Sequence, residues 1–562
     1  MMDKKQIAHV LKEVGILLEL KGENKFKTQA YANAARAVET FTGNVEALRT
    51  EKIRGVGKAT QENIIELLDS GTLGLLDELR AEVPAGVQQM IRIKGLGAKK
   101  VRQLYEAGIE TVDQLERACH AGRIAQMSGF GRKTQTNILE GIALLKQYAG
   151  KMRYDQALSL AEPLMTILQN DSRVDALSFM GSLRRRCEVV RDIDILIGTD
   201  DPAGLTQSIC EHPAFGEVID RSSQRIQTRL AGGQEVDLSL VAPERFPVAL
   251  FYTTGHKTVV KQWQTQLEQA GLTLEWDQIL QQGKPLLFAN EAAIFNLLDL
   301  PYLPPEIREP EWTDFRHLPN LINAGDLRGV LHVHTTYSDG VHSVEEMAQA
   351  AAGLGYHYVG ITDHSQSSTV ANGMKPERVY AQLREIDRLN ACLETIEILK
   401  GIECDILADG SLDYSDDLLA EFDFVIASVH TKFNMKEGEM TERIIRAMSN
   451  PYVRVLGHPT GRLLLQRESY PVNLEAVIDA AAEYHVALEL NANPRRLDLD
   501  WRWLRKATER GVKILIGPDA HRMGGLTDTT QYGIPIARKG GLRKDDVLNC
   551  FTLEHIRAFF KR

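Results

Sequence analysis

The sequence predicts a multidomain α/β protein: helical domains at the N-terminus, an α/β core in the middle and a βα barrel at the C-terminus. Three observations carry this. A Gly-apolar-Gly motif with a basic follower recurs three times within the first 150 residues. An Asp-x-Asp pair rides on an apolar run near residue 194, and another aspartate follows on a later strand-like run. In the last third, histidines and acids sit at the ends of successive apolar runs separated by helical stretches. At 562 residues the chain is too long for one ordinary core, so several domains are expected.

Residues 1 to about 80 are expected to be helical, because Ile7, Val10, Leu11, Val14, Leu17 and Leu18 recur at helical spacing. The three motifs are Ile53-Arg54-Gly55-Val56-Gly57-Lys58, Ile93-Lys94-Gly95-Leu96-Gly97-Ala98-Lys99 and Met127-Ser128-Gly129-Phe130-Gly131-Arg132-Lys133. Glycines let backbone approach a phosphate closely, and free amides at the next helix start can bind it. One such turn is equally well a tight connection between packed helices. Three in series favour DNA, held without sequence choice. The candidate contacts are Gly55, Gly57, Lys58, Gly95, Gly97, Lys99, Gly129, Gly131 and Lys133.

In the middle, Gly181-Ser182 opens a turn, Arg184-Arg185-Arg186 follows, and Asp192-Ile193-Asp194 leads into an apolar strand. Residues i and i+2 of a strand share a face, so Asp192 and Asp194 are expected to project together while Ile193, Ile195 and Leu196 enter the core. Two crowded carboxylates need a cation, and oxygen ligands of this kind suit Mg²⁺ bound with a substrate phosphate. Asp237, on a strand-like run after the turn Gly232-Gly233, closes the set as a candidate two-metal site for phosphoryl or nucleotidyl transfer. Gly181 and Ser182 would admit a triphosphate, and Arg185 would neutralise it. A helix is expected before the strand at 176–180 and another near 203–212, which makes an α/β core.

In the C-terminal part, metal-binding residue types recur in His332-Val333-His334-Thr335-Thr336-Tyr337-Ser338-Asp339, Thr362-Asp363-His364, Gly401-Ile402-Glu403, Ser428-Val429-His430, Gly457-His458-Pro459 and Asp519-Ala520-His521. His332 and His334 alternate on a strand end, so both rings are expected to face one way. Apolar runs precede nearly all the others, as at 358–361, 424–427, 453–456 and 513–516. About seven strands are expected, starting near Val330, Tyr358, Ile396, Phe424, Val453, Val486 and Lys513. Ligands at the C-terminal ends of parallel strands meet at one mouth of a barrel. Imidazole mixed with carboxylate suits Zn²⁺, Mn²⁺ or Fe²⁺, and such a site would activate water and clamp a phosphate ester. Arg462 is a candidate phosphate clamp or a surface arginine; Glu489 and Asn491 are candidates to orient the ligands.

The totals exclude several classes. Six scattered cysteines without a Cys-x-x-Cys pair argue against a disulfide framework or zinc finger and for a reducing compartment. No signal peptide or membrane-length apolar run is seen, so a cytoplasmic protein without a membrane partner is expected. The net charge is −10, unevenly spread. Residues 1–150 carry 22 Lys and Arg against 18 Asp and Glu, whereas residues 151–320 carry 16 against 24. The basic surplus falls where DNA would be held and the acidic one where cations would bind.

On these residues the chain resembles the bacterial family X DNA polymerases that carry a C-terminal polymerase-and-histidinol-phosphatase (PHP) domain. The Gly-x-Gly repeats resemble helix-hairpin-helix elements, and the aspartate strands resemble the nucleotidyltransferase palm. The last part resembles the PHP fold, a distorted seven-stranded βα barrel. The resemblance implies helical domains at 1–80 and 81–150, a palm at 151–242 and a nucleotide-selecting subdomain at 243–310. A linker at 311–325 and a PHP domain at 326–562 complete it. By resemblance, Asp192 and Asp194 hold Mg²⁺ or Mn²⁺ and Asp237 activates the primer 3′-hydroxyl. Ser182 and Arg185 grip the phosphates of a dNTP, and Tyr252 stacks on its sugar beside Gly255. By the same resemblance the PHP metal-ligand pattern falls on His332, His334, Asp339, His364, Glu403, His430, His458, Asp519 and His521, which would hold two or three divalent metals with Glu403 a bridge.

Some residues depart from the family. Thr253 and His256 flank Thr254-Gly255 where Phe and Ser are usual, and Val260 and Gln264 stand where Asn and Arg contact the base or template. Ala59 and Asn63 replace the lysines of lyase-active members, although Lys27 and Lys58 lie nearby, so lyase activity is not assigned. The implied function is a monomeric enzyme, at the nucleoid of a bacterial cytoplasm, that fills gapped or nicked DNA in repair and trims 3′ ends in the 3′–5′ direction. Three alternatives stay open: a repair nuclease (3′–5′ exonuclease or AP endonuclease) whose palm only positions DNA, a histidinol-phosphatase-like phosphomonoesterase, and a non-catalytic DNA-end scaffold.

Overall fold

The helical spacing of the first residues is realised as α1 (Lys4–Lys21), which packs on α2 (Lys25–Glu39). Ile7, Leu11, Val14 and Leu18 are all 1% exposed or less along its inner face. The structure, a computed structural model, describes residues 4–39, 41, 45–51, 53–93 and 95–561; Lys94 of the second hairpin lies outside them. It divides into two compact units, Met1–Ala149 and Gly150–Arg562.

In the first unit, each Gly-x-Gly turn feeds a helix: α3 (Lys58–Ser70), α4 (Ala98–Glu106) and α5 (Arg132–Gln147). One hydrophobic cluster runs from Ile7 to Ile142. The two helical domains expected at 1–80 and 81–150 therefore share a core, because α1 packs against α4 across that boundary.

The second unit opens with α6 (Tyr154–Gln169) and a five-stranded sheet of β1 (Ala176–Phe179), β2 (Ile193–Gly198), β3 (Glu217–Arg221), β4 (Arg225–Arg229) and β5 (Glu235–Val241). Their order is β1-β2-β5-β4-β3. The turn at Gly232-Gly233 joins β4 and β5 as a hairpin, and β5 then runs parallel to β2. Ile193, Ile195 and Ile197 pack under α6 on one face, while Leu196 joins Val241 and Ala249 on the other. The Gly181-Ser182 turn is a one-turn helix, α7 (Gly181–Arg184). Two helices, α8 (Phe246–Thr254) and α9 (Lys257–Gln269), begin a smaller subdomain around Phe251, Trp263 and Phe295.

The segment expected as a linker at 311–325 is irregular but packed. Trp312 and Ile322 are buried, the Trp312 indole N–H donates to the Lys539 carbonyl at 3.0 Å, and the Ile322 amide donates to Leu542. Its apolar residues serve a seam with the barrel, which its Pro, Asp and Asn content concealed.

Seven parallel strands follow in sequence order: β6 (Gly329–Val333), β7 (Tyr358–Ile361), β8 (Glu397–Asp405), β9 (Phe424–Ser428), β10 (Val453–Leu456), β11 (Ala487–Asn491) and β12 (Ile514–Gly517). Val333 bridges to Ala520, which joins the first strand to the last. Leu331, Tyr358, Leu399, Phe424 and Leu515 fill the barrel interior. The seam helix α10 (Ile534–Lys539) follows, and α11 (Leu553–Phe560) then caps one end, with Phe560 stacked on Phe424 at 4.7 Å. With that end plugged, the C-terminal ends of the strands are left to carry chemistry.

Candidate active sites

Barrel mouth. All nine predicted ligands gather at the C-terminal strand ends. His458 Nε2 lies 2.9 Å from Glu403 Oε1 and His430 Nε2 lies 3.3 Å from it. His364 Nδ1 and His332 Nε2 lie 3.0 and 3.4 Å from Glu403 Oε2. Asp519 Oδ1 is 3.2 Å from His334 Nε2, and Asp339 Oδ1 is 3.3 Å from His521 Nε2. Glu403 thus sits among four of the histidines, with both of its oxygens approached. Three sets have ligand atoms within 4.8 Å of one another: His334 with Asp339, His364 and His521; His332 with His334 and Asp519; and His364 with Glu403 and His430.

The residues fit cations. His332 Nε2, both ring nitrogens of His334, His364 Nδ1 and Glu403 Oε2 are buried and make no hydrogen bond. Buried polar atoms are rarely left so, and a metal ion is the partner that this donor set suits. The titration behaviour agrees. Burial alone would raise the Glu403 carboxyl, yet His364, His332 and His430 hold it well below its ordinary range. Burial opposes charge on His430, but Glu403 and Asp405 push it up to about 10. A metal that bound His430 would have to displace its proton, whereas burial lowers His364 to about 3 and leaves its ring free to ligate.

Simple alternation does not explain why His332 and His334 converge. The ladder between β6 and β7 is irregular between Val330 and Val333, and His332 takes φ +71°. A left-handed residue at an irregular strand end re-aims its side chain, as bulges next to active sites do. His458 and Asp519 also have positive φ, at +26° and +51°.

Buried carboxylates hold the ligands. Glu489 on β11 accepts from His332 Nδ1 and, at 2.6 Å, from the His458 amide. Asn491 donates to Glu489 and to Asp519. Two further carboxylates escaped the sequence reading. Asp405 accepts from His430 Nδ1 at 2.6 Å. Asp363 accepts from the amides of Thr335 and Ser338, at 2.8 and 3.0 Å, which fixes the turn between His334 and Asp339. The available signal was position alone: Asp405 lies two residues past Glu403 and Asp363 just before His364.

Arg462 is not a phosphate clamp here. Its guanidinium donates to Asp500 at 2.6 Å and to the Arg496 and Leu497 carbonyls, and lies 3.7 Å from Glu188 of the palm. All three of its guanidinium nitrogens are thereby engaged within the protein.

Palm. Asp194 on β2 pairs in register with Asp237 on β5, and Asp192 stands just before β2. Burial first, then Asp192 and Asp237, raise the Asp194 carboxyl to about 7. Burial and Asp237 raise Asp192 too. Such crowding fits a cation site. The three aspartates do not form a set within 4.8 Å, and Arg225 binds both oxygens of Asp237. Arg225 thus supplies a cation to Asp237, a pairing that nothing in the local sequence marks. Gly181 is essential to this geometry: it has φ +58°, and a Cβ there would lie 2.3 Å from Asp194 Oδ2.

Arg185, expected at the phosphates, is turned inward and donates to Glu309 at 3.0 Å and to the Thr254 carbonyl. Arg184 clasps Glu291 through both oxygens. The palm turn is thereby tied to the smaller subdomain. Ser182, Arg185 and His256 line a cleft of about 440 Å³. The departures from the family have structural uses: His256 caps α9 through Thr258, Gln264 donates to Leu274, and Val260 is buried where a Cβ on Gly255 would meet it at 2.7 Å. Tyr252 is half-buried beside them.

Hairpins. Gly55, Gly95 and Gly129 have φ of +86°, +86° and +81°. Gly57, Gly97 and Gly131 precede the helices, and none of the three has a side-chain cap. A Cβ on Gly55, Gly57, Gly95, Gly97 or Gly131 would touch nothing within 4 Å, so these backbones face open space. Lys58, Lys99 and Lys133 are exposed. Asn63, where lyase members carry lysine, donates to Tyr31 at 2.8 Å.

The fold and sites define a class: a nucleotidyltransferase palm with hairpin modules, joined to a metal-dependent phosphoesterase barrel. Comparison with known proteins agrees. Residues 331–493 match the PHP domain, 2–73 a helix-hairpin-helix domain, 87–143 a SAM-like helix-hairpin-helix tandem, and 249–309 the DNA polymerase beta thumb. The DNA polymerase/3′-5′ exonuclease PolX of Bacillus subtilis is 38% identical over an alignment of 569 positions that covers 100% of this chain and 100% of PolX. Probable phosphatases of Thermoanaerobacter sp. and Shewanella oneidensis are 31% and 28% identical over 229 and 200 residues, or 39% and 34% of this chain and 88% and 75% of theirs. The chain belongs to the family X DNA polymerases with a C-terminal PHP domain.

Proposed function

We propose that the chain fills short gaps in DNA and trims 3′ ends, with one site for each reaction. The convergence of the nine candidate ligands at the barrel mouth, on strands other than those of the palm aspartates, carries this reading. Asp192 and Asp194 would hold Mg²⁺ or Mn²⁺, and Asp237, once released by Arg225, would complete the site and receive the primer hydroxyl proton. Bound metal would supply charge neutralisation for in-line transfer. Ser182 would meet the dNTP phosphates, with Arg185 behind it and Tyr252 and Gly255 at the sugar. The hairpin glycines with Lys58, Lys99 and Lys133 would hold the DNA backbone.

At the barrel, His332, His334, Asp339, His364, Glu403, His430, His458, Asp519 and His521 would hold two or three ions of Mn²⁺, Zn²⁺ or Fe²⁺. Those ions would supply a hydroxide. His332, His334 and Glu403 form a buried floor, while Asp339, His430 and His521 have side chains 34%, 20% and 36% exposed. A phosphodiester would enter over that open rim. A monomeric state belongs to the same proposal.

The test is a 3′-labelled gapped duplex with and without dNTPs, in Mg²⁺ and then Mn²⁺. Asp192→Ala should abolish extension and spare degradation, and His332→Ala should do the reverse. Loss of both activities in each variant would refute the division. A second reading, a nuclease whose palm only positions DNA, is favoured by buried Val260 and the Arg225–Asp237 pair. Degradation without incorporation in either metal would establish it.

A further inference from the structure

The barrel contributes a lysine to the polymerase half. Lys539 ends α10, is 1% exposed, and reaches out of the barrel into the palm. Its ammonium donates to the Arg185 carbonyl at 3.1 Å and to Glu309 Oε1 at 2.8 Å, and lies 3.4 Å from Cys187 Sγ. Its own carbonyl accepts from Trp312. Arg185 is the C-terminal cap of α7, the turn that carries Ser182, so a cation sits at the carbonyl end of that turn, where it is favourable.

The turn needs such support. It begins with Gly181 at φ +58° and leaves through Arg186 at φ +57°, a conformation side chains rarely adopt. The Cys187 amide closes it by donating to the Ser182 carbonyl at 3.0 Å. Lys539 also lines the cleft with Ser182, Arg185 and His256.

We propose that Lys539 is a positioning residue of the polymerase site: from the barrel it fixes the 181–187 turn that receives the triphosphate of the incoming nucleotide. This rests on the gap-filling reading above. The barrel is then part of the polymerase as well as an enzyme in its own right.

Lys539→Met is a fair test because it leaves Arg185 and Glu309 as a balanced pair, with no buried charge unmatched. The full chain is bound to gapped DNA with a dideoxy-terminated primer, and dNTP affinity is measured without chemistry; KM and kcat for gap filling, 3′-end degradation and amide exchange over 181–187 are measured alongside. Lys539→Met should raise the dNTP Kd and KM about tenfold, the size of one lost charge-assisted hydrogen bond. It should leave kcat within about twofold, speed exchange at 181–187 and keep degradation at the wild-type rate. Unchanged dNTP affinity with degradation intact would overturn the proposal. So would loss of degradation and extension together in both Lys539→Met and Lys539→Gln, which would make Lys539 a general fold residue. If the wild type binds no dNTP on gapped DNA, the gap-filling reading itself fails.

Discussion

Replacing Glu489 with glutamine tests whether the barrel ligands are held by their surroundings. Glu489 is fully buried and is not in any of the three ligand sets. One oxygen accepts from His332 Nδ1, which leaves His332 Nε2 for a metal, and the other accepts from the His458 amide. Glutamine keeps the shape but offers one acceptor and one donor. Either His332 or the His458 amide then faces an N–H group, and the negative charge beside His332 is gone. A hydrogen bond to a charged group contributes about 1.5–3 kcal/mol. Losing one should weaken metal binding about 10- to 100-fold, the usual range for partners of metal ligands. The assay is metal content after dialysis against graded free Mn²⁺, read with 3′-end degradation. The Mn²⁺ midpoint should rise, degradation should recover at high Mn²⁺, and gap filling should be unaffected. An unchanged midpoint, or equal loss of gap filling, would refute the reasoning.

Gly181→Ala should abolish gap filling and leave 3′ trimming within about twofold, because its Cβ would collide with Asp194 Oδ2; normal incorporation would show that the turn yields. Asp194 has its carboxyl raised from 3.8 to about 7. The folded, metal-free protein therefore binds a proton that the unfolded chain has lost between those values, and its stability falls as pH rises through them. Metal must displace that proton, so Mg²⁺ affinity at the palm should climb toward pH 7 and level off above it. Calorimetry in buffers of different ionisation heat would find no proton release at pH 6 if this is wrong. Changing Lys58, Lys99 and Lys133 together to alanine should lower DNA affinity and reduce the salt slope by about three, one for each phosphate contact; an unchanged slope would place the DNA elsewhere.

Patterns of two and of three to four residues carried most of the fold. The apolar runs before His364, His430, His458 and Asp519 marked strands because a buried parallel strand must be apolar on both faces. The same strand exits marked the candidate ligands that the fold brings together, since few other roles demand six histidines and three acids there. The three hairpins were legible because only glycine takes the positive φ found at Gly55, Gly95 and Gly129 without strain.

What tertiary structure decided was which charge meets which. Arg462 and Arg185 looked like phosphate ligands because an isolated arginine reads as free. In the fold they belong to Asp500 and Glu309, 38 and 124 residues away. Asp237 was legible as a ligand, but Arg225 upon it was not, since that contact depends on the β4–β5 register. Lys539 beneath Arg185 spans 354 residues and exists only because the barrel docks on the palm. Backbone periodicity is local and is written in the sequence, whereas ion pairing is a matter of distance in space, which is set only when the chain closes on itself.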